Sequence, residues 1–391
     1  MSVQTGEMNK GEAVRNGQSI TTTAAVMRAT GEPWDVVELT LDPPRDHEIF
    51  VRYVASGLCH SDEHLRTHDF WGGTARLPMV GGHEGSGVVE AVGPGVSSLE
   101  VGDHVVCSFL PACGHCRWCS TGRQNLCDLG ADLMQGAQVD GTFRFHDDKG
   151  EDYGGLCMLG TFSQYGVISE HSAVKVDKDL PLEVAVLVGC GVPTGWGSSV
   201  YNAGVQAGET VVIYGIGGVG INAVQGAAYA GARDVVVVDP LENKRSKAME
   251  FGATHSAATA EEAHELIQGL TNGVGADKAV ITAGVIQKET VSAAVEAISK
   301  GGSVTITGLA PVNEPTIQVP SASLTLFEKR IQGSLFGSSN PFYDIVKMLD
   351  LYKAGRLKLD ELITQHYRLE DVNKGYEDLL AGKNIRGVIL H

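Results

Sequence analysis

The sequence is short of three things, and each shortage removes a class of function. It has no run of about 20 apolar residues, the length that crosses a hydrocarbon core as a helix. It has no cluster of Lys and Arg: 30 basic residues stand against 47 acidic ones, a net charge of -17, so no surface suits a phosphate backbone. Its first two dozen residues, MSVQTGEMNKGEAVRNGQSITTTA, contain no apolar segment of the kind that directs export. A cytoplasmic protein with neither membrane nor nucleic-acid partner is expected. Repeats are lacking too, and the 50 glycines punctuate strand-and-turn patterns. At 391 residues, 43% of them hydrophobic, the chain can form two domains, each with its own core.

Without an oxidising compartment, cysteines point to metal before disulfides. Cys113, Cys116, Cys119 and Cys127 stand together in CGHCRWCSTGRQNLC. Four thiolates in a turn-rich loop suit a structural zinc, and because protein fills every position such a site does no chemistry. An open site must lie elsewhere. Cys59 in GLCHSDEH, His83 beside Glu84 in GGHEGSGVV and Cys190 in LVGCGVPTGWG supply the ligand set of a catalytic zinc with one position left for substrate. Taken singly, a buried thiol and a satisfied histidine are the commoner explanations. Cys107 and Cys157 lie in apolar, strand-like surroundings and are expected to be buried structural thiols.

A third pattern concerns a nucleotide. The apolar run Val211 to Tyr214 leads into Gly215, Gly217 and Gly220 at GxGxxG spacing, with Gly218 and Val219 between. An Ala-rich helical stretch, a second apolar run and Asp239 follow. Glycines serve the tight turn and the approach of pyrophosphate to a helix N-terminus, and the acid receives ribose hydroxyls. An aspartate there repels a 2'-phosphate, favouring NAD over NADP. Lys244 and Arg245 lie just beyond, beside the adenosine ribose or on a solvated helix face.

The ordered set GLCHSDEH, GGHEGSG, the four-cysteine loop, GTFSQY, GCGVPTGWG, GIGGVG and GKNIRG resembles the zinc-containing medium-chain alcohol dehydrogenases from about Ala24 onward. FLPACGHCRWC, VGCGVPTGWGSSVY, INAVQGA and IQGSLFGSSNP resemble most the nicotinoprotein branch, which retains NAD between turnovers and is assayed with N,N-dimethyl-4-nitrosoaniline. The resemblance implies an α/β two-domain protein: a GroES-like β-barrel catalytic domain over residues 24–191 and 336–391, and a doubly wound Rossmann domain over 192–335. Residues 1–23 are expected to be a flexible extension, with an oligomer-contact arm as the alternative.

The resemblance also implies roles. Cys59, His83 and Cys190 would hold catalytic zinc, making two zinc ions per subunit with the structural one. Ser61 would accept the substrate proton and His64 would pass it on; a turn hydroxyl and an exposed loop histidine are the plainer readings. Asp62 and Glu84 would be carboxylates supporting the metal site. Thr194 would pack near the nicotinamide, Phe336 would contact the cofactor, and Arg386 would contact pyrophosphate. One departure is His60, where many relatives have a pyrophosphate-binding arginine; an imidazole attracts phosphate less, so cofactor retention must come from elsewhere. The segment HDFWGGTARLPM, with Phe70 and Trp71, is expected to line the substrate pocket or cover the cofactor.

The expected activity is oxidation of primary alcohols to aldehydes by a tightly held NAD that an external electron acceptor reoxidises in place. The alternatives are an ordinary dehydrogenase with exchangeable NAD, acting on alcohols or on a thiol adduct of formaldehyde, and a non-catalytic relative that keeps only the fold. A homo-oligomer, dimer or tetramer, is expected through pairing of the nucleotide-binding domains.

Overall fold

Two runs of five residues, Thr210–Tyr214 and Asp234–Val238, are buried at every position, as strands covered on both faces must be. In the computed structural model, which describes residues 10–67, 75–310 and 316–391, they lie inside a six-stranded sheet. Its order is His255–Ala257, Asp234–Val238, Thr210–Tyr214, Ala276–Ile281, Ile298–Ile306, Arg330–Gly333, and every pairing is parallel. The first strand in sequence therefore sits mid-sheet, and the order reverses beside it, which opens a crevice at the strands' carboxyl ends. Alternation along Thr210–Tyr214 divides the packing. Val211 and Ile213 join a core with Trp196, Val224 and Met348, while Val212 and Tyr214 join one with Ile267 and Val291 on the opposite face.

The other unit is built from β-strands. Ile20–Met27, Asp35–Leu41, Phe145–His146, Asp152–Gly155 and Met79–Val80 close into a barrel. A second sheet centres on Glu48–Gly57, which pairs with Gly85–Val92, with Tyr165–Ser169 and with Arg386–Leu390. The strand Arg386–Leu390 thus pairs back onto Glu48–Gly57, and the six-stranded parallel sheet lies between them in the chain. The helices Gly191–Gly197 and Gly218–Tyr229 pack on each other. They pack closely because Gly195 and Gly226 leave room for the backbone: a Cβ on Gly195 would lie 2.0 Å from the Val219 carbonyl oxygen.

The reading of residues 1–23 as a flexible extension needs correction where the chain is described. Lys10–Arg15 is a helix and Ile20–Met27 a barrel strand. Ala13, Val14 and Ile20 are buried with Phe50, Val80 and Tyr153, Lys10 Nζ donates to the Thr21 carbonyl, and Arg15 donates to that of Glu90. Three apolar residues scattered among polar ones are too few for periodicity to reveal. Residues 1–9 lie outside the described residues. So do Phe70 and Trp71 of the HDFWGGTARLPM segment. Of that segment, Ala75, Leu77 and Met79 pack with Leu156 and Phe162, and the Arg76 guanidinium lies 3.8 Å from the Phe143 ring centroid.

Candidate active site

The helix His60–Thr67 follows directly on Cys59 and carries Ser61, Asp62 and His64. His83 and Glu84 lie just before the strand Gly85–Val92, and Cys190 immediately before the helix Gly191–Gly197. Folding brings one donor atom from each of Cys59, His83, Glu84 and Cys190 within 4.8 Å of the others, all buried. Asp62, fully buried, accepts at Oδ1 from the Gly82 amide (3.2 Å) and engages His83 Nδ1 (3.1 Å). That contact fixes the imidazole so that Nε2 is free for the sulfurs. Hydrogen bonding from Cys190 holds the Cys59 thiol well below its ordinary value despite burial, and raises Cys190 well above it. Burial disfavours charge on His83, yet Asp62 and Cys59 hold its imidazole well above the ordinary value.

Two thiols, an oriented imidazole and a carboxylate fit a zinc ion by donor chemistry. Arg386, buried on the last strand, donates to Glu84 Oε2, leaving Oε1 without a partner among the described residues. Burial pushes the Glu84 carboxyl up to about 7 against the attraction of Arg386.

The second cluster is compact. Cys113, Cys116, Cys119 and Cys127 also place their sulfurs within 4.8 Å of one another. The amides of Cys116, Cys119 and Cys113 donate to Cys113, Cys116 and Cys127 Sγ at 3.3, 3.5 and 3.3 Å. Such donors stabilise thiolates, and amides from Cys119 and Asp128 bring Cys116 down to about 6. The Cys113–Cys119 and Cys116–Cys127 sulfur separations of 4.0 Å are far beyond a disulfide bond.

The first cluster opens into a cleft of about 1440 Å³ between the two units. Ser61, His60, His64, Thr194, Val219 and Phe336 line it. Ser61 Oγ is 3.7 Å from Cys59 Sγ. His64 is not an exposed loop residue: it is 4% exposed, and its Nε2 lies 3.0 Å from the Gly284 carbonyl on the sheet side of the cleft. His60 lies beside it, ring centroids 4.8 Å apart and planes tilted by 58°, and burial and then His64 lower its pKa.

The three fingerprint glycines have distinct surroundings. Gly215 has φ +90°, and a Cβ there would be 2.6 Å from Ala283. A Cβ on Gly220 would be 2.0 Å from the Gly215 oxygen, so helix and strand meet only through glycine. Gly217 has nothing within 4 Å of its Cβ position, leaving room at the N-terminus of Gly218–Tyr229 for a phosphate group. Asp239 accepts from the Ile216 amide (2.8 Å) and the Leu241 amide (2.9 Å), so its carboxylate is fixed at the crevice. Arg245 caps the Asp239 carbonyl (2.7 Å), and Lys244 lies near Gly382. The Arg386 stem crosses the same helix start, 2.5 Å from a Gly218 Cβ position.

Sequence reasoning missed the apolar wall. Phe109, Leu133, Met134, Leu156 and Cys157 line the cleft, with Phe109 edge-on to both His83 and Phe336. Cys107 is buried in the sheet that centres on Glu48–Gly57, as expected, but Cys157, in left-handed backbone (φ 56°, ψ 31°), faces the site. Burial pushes both thiols up to about 12.

A family model described as alcohol dehydrogenase GroES-like domain matches residues 45–178, and one described as zinc-binding dehydrogenase matches 218–353. The NDMA-dependent alcohol dehydrogenase of Amycolatopsis methanolica is 58% identical over 370 residues, covering 95% of this chain and 99% of that protein. Putative alcohol dehydrogenase D of Mycobacterium tuberculosis (strain ATCC 25618 / H37Rv) is likewise 58% identical, over 95% and 100%. Benzyl alcohol dehydrogenase from Acinetobacter calcoaceticus superposes with a TM-score of 0.87 at 30% identity, over 95% and 99% of the two chains. With this ancestry behind the cleft and its thiolate-imidazole cluster, the chain belongs to the zinc-containing medium-chain alcohol dehydrogenases and is an oxidoreductase acting on alcohols.

Proposed function

We propose that the protein oxidises primary alcohols to aldehydes with an NAD that stays bound between turnovers and is reoxidised in place by an external acceptor. The observation that carries this reading is the single cleft onto which the Cys59–His83–Cys190 cluster, Thr194 and Val219 of the fingerprint helix all open. Similarity to the NDMA-dependent enzyme over nearly the whole chain supports the retained cofactor.

Cys59, His83 and Cys190 would hold catalytic zinc, and Cys113, Cys116, Cys119 and Cys127 structural zinc. The catalytic ion, when bound, acidifies a hydroxyl that it ligates, and NAD supplies a hydride acceptor. The protein's own part is orientation and proton movement. Ser61 takes the substrate proton and His64, buried in the cleft wall, passes it on. Asp62 orients His83, and Glu84, paired with Arg386, balances the charge behind the metal. Gly217 admits the pyrophosphate, with Gly215, Gly218, Gly220 and Val219 shaping its cradle, Arg386 beside it and His60 close by. Asp239 receives the ribose hydroxyls beside Lys244, and Thr194 and Phe336 flank the nicotinamide. The catalytic domain in this reading comprises residues 24–191 and 336–391, and the cofactor domain 192–335, in a cytoplasmic homo-oligomer.

The test is the NAD(H) and zinc released when extensively desalted protein is denatured without added cofactor. About one NAD(H) and two zinc ions per subunit are expected. Little NAD(H), from protein that keeps its zinc and turns over with added NAD, would assign an exchangeable cofactor instead.

A further inference from the structure

Asp62 has a second oxygen whose surroundings the metal site does not explain. Oδ1 serves the Gly82 amide and His83, while Oδ2, fully buried, has no formed hydrogen bond among the described residues. The Tyr376 hydroxyl is in the same condition: 3% exposed as a residue and unpartnered. Phe162, edge-on to Tyr376, also lies against Gly82, whose amide Asp62 Oδ1 holds, so the two groups share one buried corner. Burial first, and then the neighbouring Asp62 carboxylate, push the phenol well above its ordinary value, which leaves it a donor.

The surrounding rings hold that phenol in place. Tyr376 lies on the helix Val372–Leu380, stacked on Trp34 (centroids 6.0 Å, 30°) and edge-on to Phe162 (6.3 Å). Trp34 is tied to the same helix by reciprocal bonds, its amide to Asn373 Oδ1 (2.9 Å) and Asn373 Nδ2 to its carbonyl (2.8 Å). Trp34 and Phe162 also press on Gly81, where a Cβ would come within 2.4 and 2.8 Å of them, in the loop that presents His83.

We propose that Tyr376 is a positioning residue for the catalytic metal. Its hydroxyl supplies the donor for Asp62 Oδ2, and so fixes the carboxylate that orients His83. Outer hydrogen bonds of this kind set both the direction and the basicity of a ligating imidazole, and losing one weakens metal retention or activity by about 10- to 100-fold. The inference rests on the assignment of Cys59, His83 and Cys190 to zinc. Wild-type protein with fewer than two zinc ions per subunit would therefore fail that assignment first, separately from the role of Tyr376.

The experiment compares the wild type with Tyr376→Phe, which removes one oxygen and keeps the ring. The two zinc ions are followed as they pass to a chromophoric chelator. The ion of the four-cysteine loop serves as an internal reference, and melting temperature is recorded in parallel. Tyr376→Phe is expected to release the catalytic ion about tenfold faster, with the reference ion and the melting temperature unchanged. In an Asp62→Asn background the same substitution should add nothing. Wild-type release of the catalytic ion would overturn the proposal. So would equal acceleration of both ions together with a lower melting temperature, which marks general loosening. Full additivity with Asp62→Asn would overturn it as well, because the effect would not pass through Asp62.

Discussion

Arg386, on the last strand, donates to Oε2 of Glu84, the residue after His83, and neither side chain is more than 4% exposed. Breaking a buried pair from one side leaves an uncompensated charge. Glu84→Gln is therefore expected to destabilise the protein by about 3–5 kcal/mol. Urea unfolding at about pH 9, where a carboxyl raised to about 7 is ionised, measures this. A cost below about 1 kcal/mol, in the range of a surface pair, would mean that Arg386 reaches another counter-ion.

A second buried arginine gives a pH-dependent prediction. Arg144 is clamped by Glu48 at 2.8 and 2.6 Å and by Asp140 at 2.8 Å. Burial alone would raise the Asp140 carboxyl, but the Thr142 hydroxyl and amide and the Arg144 guanidinium hold it well below the usual carboxylate range. A depressed folded value stabilises above the ordinary value near 4, and the contribution is lost as pH falls below it. Asp140→Asn should thus cost about 1 kcal/mol at most at pH 7, because the side chain is 40% exposed. That gap should narrow below about pH 4. Unfolding midpoints of both proteins across this range test it, and a gap that widens in acid would contradict the sign.

The fingerprint glycines separate folding from binding. Gly217→Ala meets no protein atom, so unfolding should be nearly unchanged while NAD affinity falls. Gly220→Ala drives a Cβ into the Gly215 carbonyl and should destabilise by at least the 1–3 kcal/mol typical of overpacking. Calorimetry of each variant with and without NAD distinguishes the two. Equal melting temperatures would remove the packing role given to Gly220.

Cys157 offers a handle on substrate size. Cys157→Phe places a ring on the cleft wall beside Leu156. Efficiency toward a bulky aromatic alcohol should fall about 10- to 200-fold relative to ethanol, the range for small changes in an apolar pocket. Steady-state kinetics with both alcohols give the ratio, and an unchanged ratio would place the substrate elsewhere.

Legibility in the sequence follows how local each determinant is. The four-cysteine loop and the strand, glycines, helix and aspartate of the nucleotide fingerprint are contiguous, so spacing alone exposes them. Cys59, His83 and Cys190 come from three segments, and their mutual distance is a property of the fold. Only resemblance linked them beforehand. The pairing of Arg386 with Glu84 spans 302 positions and Tyr376 stands on a late helix, far along the chain from Asp62, so no window of sequence relates either pair. The helix Lys10–Arg15 was hidden differently: six residues with two small apolar anchors give no usable period.

The return of the strand Arg386–Leu390 to Glu48–Gly57 has a consequence during synthesis. Cys59 and His83 leave the ribosome long before the residues that close over them, Tyr376 and Arg386. At about 5–20 residues per second, a gap of 302 positions lasts roughly 15–60 s. The four-cysteine loop is whole once Cys127 is made, whereas Cys59 and His83 wait for Cys190 and then for these buried neighbours. The growing chain therefore completes its two clusters in a fixed order, the four-cysteine cluster first.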